Sequence, residues 1–144
     1  SYKPEVREKL LAGIRRTANA AAAMGGAPEP LVELVPGGAA IVNDEAVVNR
    51  TAAALKAAFG DAKVIQVPPI TASEDFSEFL NAGVPGMMFF VGTVSPDDWA
   101  AARKPGGKPI ASNHSPFFAP VPEPSIKTSV EAMSVAVLTT LAQK

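Results

Sequence analysis

The run Met87-Met88-Phe89-Phe90-Val91, set between Val84-Pro85-Gly86 and Gly92, is the feature that most narrows the fold. It has no polar alternation, so neither face of the segment is suited to water. A continuous apolar run of this length, closed by turn residues, predicts a central strand covered on both sides, as in a parallel sheet. Nothing else in the chain is a longer apolar run, so no segment reaches the length of a membrane-spanning helix.

Around this run the periodicity alternates. From about Lys3 to Met24, Val6, Leu10, Ile14 and Ala18 recur every four residues behind Pro4, and Gly25-Gly26 stops the pattern, predicting a helix. Leu31 to Val35, between Pro30 and Pro36, predicts a short strand. A second helix is expected from an Asn43 or Asp44 cap to Phe59, with Val47, Val48, Leu55 and Phe59 inward. Lys63 to Val67 predicts another strand, ended by Pro68-Pro69. Ser73 is placed as the cap of a short helix carrying Glu74 and Asp75 in its first turn and Phe76, Phe79 and Leu80 on its apolar side. From Thr93 to about Glu123 no period is visible, and Pro96, Pro105, Pro109, Pro116, Pro120 and Pro122 fall there, so a long loop is expected. A last helix, starting near Pro124-Ser125, is expected to bury Ile126, Val130, Met133, Val137 and Leu141. The order α-β, then α-β-α-β-loop-α, predicts an α/β fold with a parallel sheet and crossover helices. One helix and one strand cannot close a core, so the first block belongs to something larger.

Composition restricts the chemistry. A net charge of −1 argues against a dedicated nucleic-acid or membrane-surface protein. With no cysteine there is no disulfide and no thiolate metal site, and the compartment stays open. There is one histidine, His114, in Asn113-His114-Ser115-Pro116. It reads either as an exposed loop residue or as a metal ligand in a loop following a central strand, where α/β proteins place their sites. Glu74 and Asp75 read either as acidic residues complementing a helix dipole or as a carboxylate presented to a cleft. No G-x-S-x-G, H-E-x-x-H or P-loop occurs. Trp99 reads as loop packing. A catalytic zinc takes three protein ligands and a two-metal site more, so this chain supplies only part of a centre.

The ordered series Ser73-Glu74-Asp75-Phe76-Ser77-Glu78-Phe79, Val84-Pro85-Gly86, the apolar run, Gly92 and Asn113-His114-Ser115-Pro116 resembles the C-terminal part of a family of metal-dependent amidohydrolases. These are aminoacylase- and carboxypeptidase-like peptidases that include hippurate hydrolases and plant auxin-conjugate hydrolases. Tyr2-Lys3-Pro4-Glu5-Val6-Arg7 is similar to the opening of the long helix of that family's lid, and Asn43-Asp44 to the return into its catalytic domain. Two departures stand out: the segment Pro36-Gly37-Gly38-Ala39-Ala40-Ile41-Val42 looks longer than the family's, and Ala72 stands where a glycine often precedes the Ser-Glu-Asp-Phe motif.

The resemblance implies that residues 1–40 are part of a smaller α/β lid that mediates homodimerisation and residues 41–144 the C-terminal half of a mostly parallel-sheet catalytic domain. It implies two divalent metal ions (Zn, Mn, Co or Ni) in the full-length enzyme, none bound by this chain alone, and an N-acyl amino acid or related small conjugate as substrate. His114 maps onto the last metal ligand. Glu74 maps onto a motif beside the site, touching substrate or a ligand. No catalytic residue maps here: the general base and the other ligands are expected in an N-terminal part of the same polypeptide. The expected reaction is metal-assisted amide hydrolysis, with this chain inactive alone. The alternative is a degenerate or truncated relative, a dimerisation or binding module without catalysis.

Overall fold

A computed structural model describes residues 1–35, 37–70, 72 and 74–142. Helices dominate: α1 (Pro4–Met24), α2 (Glu45–Phe59), a 3₁₀ turn (Asp61–Lys63), α3 (Ser77–Asn81), α4 (Pro96–Ala102) and α5 (Pro122–Leu141). None of these helices is long and apolar enough to cross a membrane. The chain groups into two compact units, one of Ser1–Val48 with Gln66–Met88, the other of Asn49–Ile65 with Phe89–Lys144.

The helix ends follow local chemistry. Pro4 opens α1, where its missing N–H costs nothing. Gly26, at φ 65°, closes it: its N–H donates to Ala23 O (3.2 Å) and that of Ala27 to Ala22 O (2.9 Å). This is the Schellman arrangement, and its left-handed residue is most cheaply a glycine. Asp44 caps α2, its Oδ1 accepting the Val47 N–H at 2.9 Å. Val47, Thr51 and Leu55, four residues apart, are the buried stripe of that helix.

The parallel sheet expected from the sequence is absent: the described residues contain no strand. Leu31–Val35 and Met87–Val91 run as irregular chain, and Lys63 ends a 3₁₀ turn rather than opening a strand. The α/β assignment is therefore corrected to a helical one. A strand is not a property of its own segment, because its N–H and C=O groups need a neighbour to complete the ladder. In the first unit a side chain supplies one such rung. The Asn43 carboxamide accepts the Met88 N–H at 2.9 Å and donates to Met88 O at 3.1 Å, while the Asp44 N–H donates to Gly86 O at 2.9 Å.

Burial is inverted on the two long terminal helices. On α5 the expected core residues Ile126, Val130, Met133, Val137 and Leu141 are all exposed, and the sheltered face is Ser125, Thr128, Ser129, Ala132, Val135, Ala136 and Thr139. On α1, Val6, Leu10 and Ile14 of the expected stripe are likewise exposed, while Ala18 is half-buried. The only buried apolar side chains among the described residues are Val47, Leu55 and Ala132. Among the described residues nothing covers the exposed apolar side chains of these two helices.

The short-helix prediction also shifts. The expected Ser73 cap lies outside the described residues; Glu74 precedes a turn at Asp75-Phe76, and α3 starts only at Ser77. Conversely, α4 lies inside the stretch expected to be loop. Its start was written in Ser95-Pro96-Asp97-Asp98: the Ser95 Oγ accepts the Asp98 N–H at 3.1 Å, and Pro96 takes the first turn. Trp99 lies on this helix, with the Arg103 guanidinium 4.4 Å from its ring centroid. Gly107 folds back onto the end of α4, where any Cβ would run into the Ala101 carbonyl oxygen.

The Asn43 rung can be tested by amide exchange. Asn43→Ala should deprotect Met88 by the equivalent of about 1–2 kcal/mol, and Asn43→Asp, which keeps only the acceptor, by less. Unchanged Met88 exchange in Asn43→Ala would contradict the rung.

Candidate functional site

The backbone at His114 is the most informative geometry in the second unit. The Ser115 N–H donates to Ser112 O at 3.1 Å, closing a turn with Asn113 and His114 at its centre. His114 has φ 74°, and it is the one non-glycine residue among those described with positive φ. For an L-residue this left-handed state costs about 1–2 kcal/mol. Such a conformation persists only where surrounding structure holds it, and it is over-represented at functional sites. A second turn follows at once: the Phe118 N–H donates to Ser115 O at 3.0 Å and the Phe117 N–H to Ser115 Oγ at 3.2 Å. Pro116 sits between, stiffening the pair. The imidazole itself is exposed.

Glu74 belongs to the first unit. Its carboxylate turns back on the chain, Oε1 accepting the Asp75 N–H at 3.0 Å and the Phe76 N–H at 3.5 Å. The Ser77 hydroxyl, fully buried, donates to Glu74 O at 2.9 Å. The Glu74 side chain is thus oriented by the two amides that follow it rather than by a helix dipole. The Phe76 and Phe79 rings that follow it have centroids 5.7 Å apart, with Phe79 largely exposed.

Among the described residues no group of three or more histidine, cysteine, aspartate or glutamate side chains is placed to hold a metal ion. A single imidazole meets one requirement of a centre that needs at least three protein ligands. The residues described do not by themselves fit such a centre, and no chemical step follows from them alone. The hollows along α1, lined by residues such as Lys9, Leu10, Gly13 and Ile14, include neither His114 nor Glu74. They are shallow gaps between side chains of α1, one of them bordered also by Leu34.

Sequence reading placed His114 in a loop and gave Asn43 only a capping part. The bidentate hold of Asn43 on Met88 was not readable, because it depends on a partner 45 positions away. The left-handed backbone of His114 had one faint signal, an Asn-His pair ahead of Ser-Pro in a region rich in turn residues.

The turn makes a direct prediction. His114→Gly should preserve or raise stability in urea denaturation, by up to about 1 kcal/mol, because glycine takes the left-handed state freely. His114→Val should lose about 1–2 kcal/mol, because a β-branched residue is a severe outlier there. Equal stability of the two variants would contradict the assigned backbone.

No solved structure matches the chain. The family model for peptidase family M20/M25/M40 matches residues 30–138, well over half of the sequence and a span that includes both Glu74 and His114. Together with the ordered Ser-Glu-Asp-Phe and Asn-His-Ser-Pro motifs, this makes the chain a member of peptidase family M20/M25/M40.

Proposed function

We propose that this chain is the C-terminal part of a metal-dependent amidohydrolase that cleaves the amide bond of N-acyl amino acids or related small conjugates, as in the hippurate hydrolase group. The observation that carries the reading is His114: the one histidine, inside the family-matched span and in the Asn-His-Ser-Pro motif, with a left-handed backbone set between two turns. Members of the family generally bind divalent metals, and His114 is read as one ligand for zinc, manganese, cobalt or nickel. Glu74 is read as touching substrate or steadying a ligand.

On this reading the general base and the remaining ligands come from an N-terminal part of the same polypeptide. Residues 1–40 belong to a lid through which two copies pair, and residues 41–144 to the catalytic domain. The exposed apolar stripes of α1 and α5 support it. Faces of this kind in a water-soluble domain are normally covered, and exposed patches of large apolar residues mark an interaction surface. A further part of the polypeptide packed on these faces would cover them.

The test compares the 144-residue chain with the whole polypeptide, each supplied with zinc, manganese, cobalt or nickel and assayed on N-acetyl amino acids and hippurate. The chain alone should be inactive and the whole polypeptide active. His114→Ala in the latter should lower kcat/KM by more than the roughly 10–100-fold typical of an outer-shell change, and should lower the bound metal measured by elemental analysis. Glu74→Gln should fall within that roughly 10–100-fold range while retaining the metal. Robust turnover by the 144 residues, or a His114→Ala enzyme with full metal and full activity, would overturn the reading. A whole polypeptide that binds no metal and hydrolyses nothing would favour a non-catalytic dimerisation or binding module.

A further inference from the structure

In the first unit, Gly38 lies so close to the Glu74 turn that a Cβ there would push its neighbours aside by a few tenths of an ångström. A Cβ at Gly38 would stand 3.0 Å from Glu74 O and 3.2 Å from Ser77 Oγ. That same Ser77 hydroxyl is the buried donor to the Glu74 carbonyl. On the other side the pair of glycines is gripped by Arg7, whose Nη2 donates to Gly37 O at 2.6 Å and Nη1 to Gly38 O at 3.2 Å. Arg7 is half-buried, on the sheltered side of α1. A guanidinium suits this task, because its planar fork presents two donors in a fixed relation.

We propose that Arg7 and Gly38 are positioning residues for the Glu74 carboxylate. The Arg7 fork fixes the Gly37-Gly38 backbone, and the bare Cα of Gly38 lets that backbone seat against the Glu74 carbonyl beside Ser77. With its carbonyl so placed, Glu74 turns its carboxylate onto the Asp75 and Phe76 amides and holds one orientation. The stack links the N-terminal helix to a candidate site residue 67 positions later through two peptide groups and no side chain other than Arg7 and Ser77. Its functional weight rests on the reading of Glu74 as a residue beside the active site; its geometry does not.

NMR of the isotope-labelled chain tests it, through the displacement of the Asp75 amide proton caused by Glu74→Gln. A carboxylate is a stronger acceptor than a carboxamide, so that displacement should be clear when Arg7 and Gly38 are intact. Gly38→Ala and Arg7→Gln should each cut the displacement by at least half, and Arg7→Lys, a point charge without the fork, should lie between. Helix content from circular dichroism identifies a variant that has failed to fold. If Gly38→Ala fails in this way, the Arg7→Lys and Arg7→Gln pair decides. The wild-type displacement in folded Arg7→Gln would overturn the proposal, as would a wild-type Asp75 amide indifferent to Glu74. Loss of the displacement in the variants, beside full activity of a Glu74→Gln whole polypeptide, would keep the positioning and sink the reading of Glu74 as a site residue.

Discussion

What this chain cannot do for itself is complete its hydrogen-bond ladders and cover its apolar faces. Three segments with strong strand chemistry, Leu31–Val35, Lys63–Val67 and Met87–Val91, find no strand to pair with among the described residues. Two long helices turn Val6, Leu10 and Ile14, and Ile126, Val130, Met133 and Leu141, toward solvent. A packed domain gains most of its stability by burying such side chains, at roughly 1.5–3 kcal/mol each. These residues therefore hold a large reserve of burial that the described chain leaves unused. On the proposed function the single histidine points the same way, since one imidazole is a fraction of a metal centre.

The parts that do form are those decided locally. Proline and Schellman glycine set the ends of α1, and Asp44 caps α2 by one side-chain bond. The Asn43 carboxamide then does for Met88 what a neighbouring strand would otherwise do. Around Glu74 the chain is held by short-range contacts as well, with the Ser77 hydroxyl beneath its carbonyl and two amides against its carboxylate. At His114 two successive turns fix a backbone state that the residue type does not favour.

Legibility in the sequence follows the same division. Helices α1 and α2 and the cap at Asp44 were readable because their causes lie within a few residues of one another. The start of α4 was equally local, but Ser95-Pro96-Asp97-Asp98 was passed over because the stretch lacks the apolar period by which helices are usually found. The sheet was misjudged because strand residues such as Phe89 and Phe90 state a preference that only a neighbour can satisfy. On α5 the positions of Ile126, Val130, Met133, Val137 and Leu141 do not decide which side is sheltered; that depends on what lies against the helix, and here Ala132 is sheltered in place of Met133. For the site, the identity of His114 and Glu74 came from motif order; the left-handed turn and the Arg7–Gly38 support involve conformation and distant partners that motif order does not encode.

Hydrogen–deuterium exchange over residues 31–35, 64–67 and 87–91 tests the central claim most directly. The account predicts fast exchange over these segments, apart from the Met88 amide held by Asn43, because no strand ladder protects them. Strong protection of all three segments would contradict it.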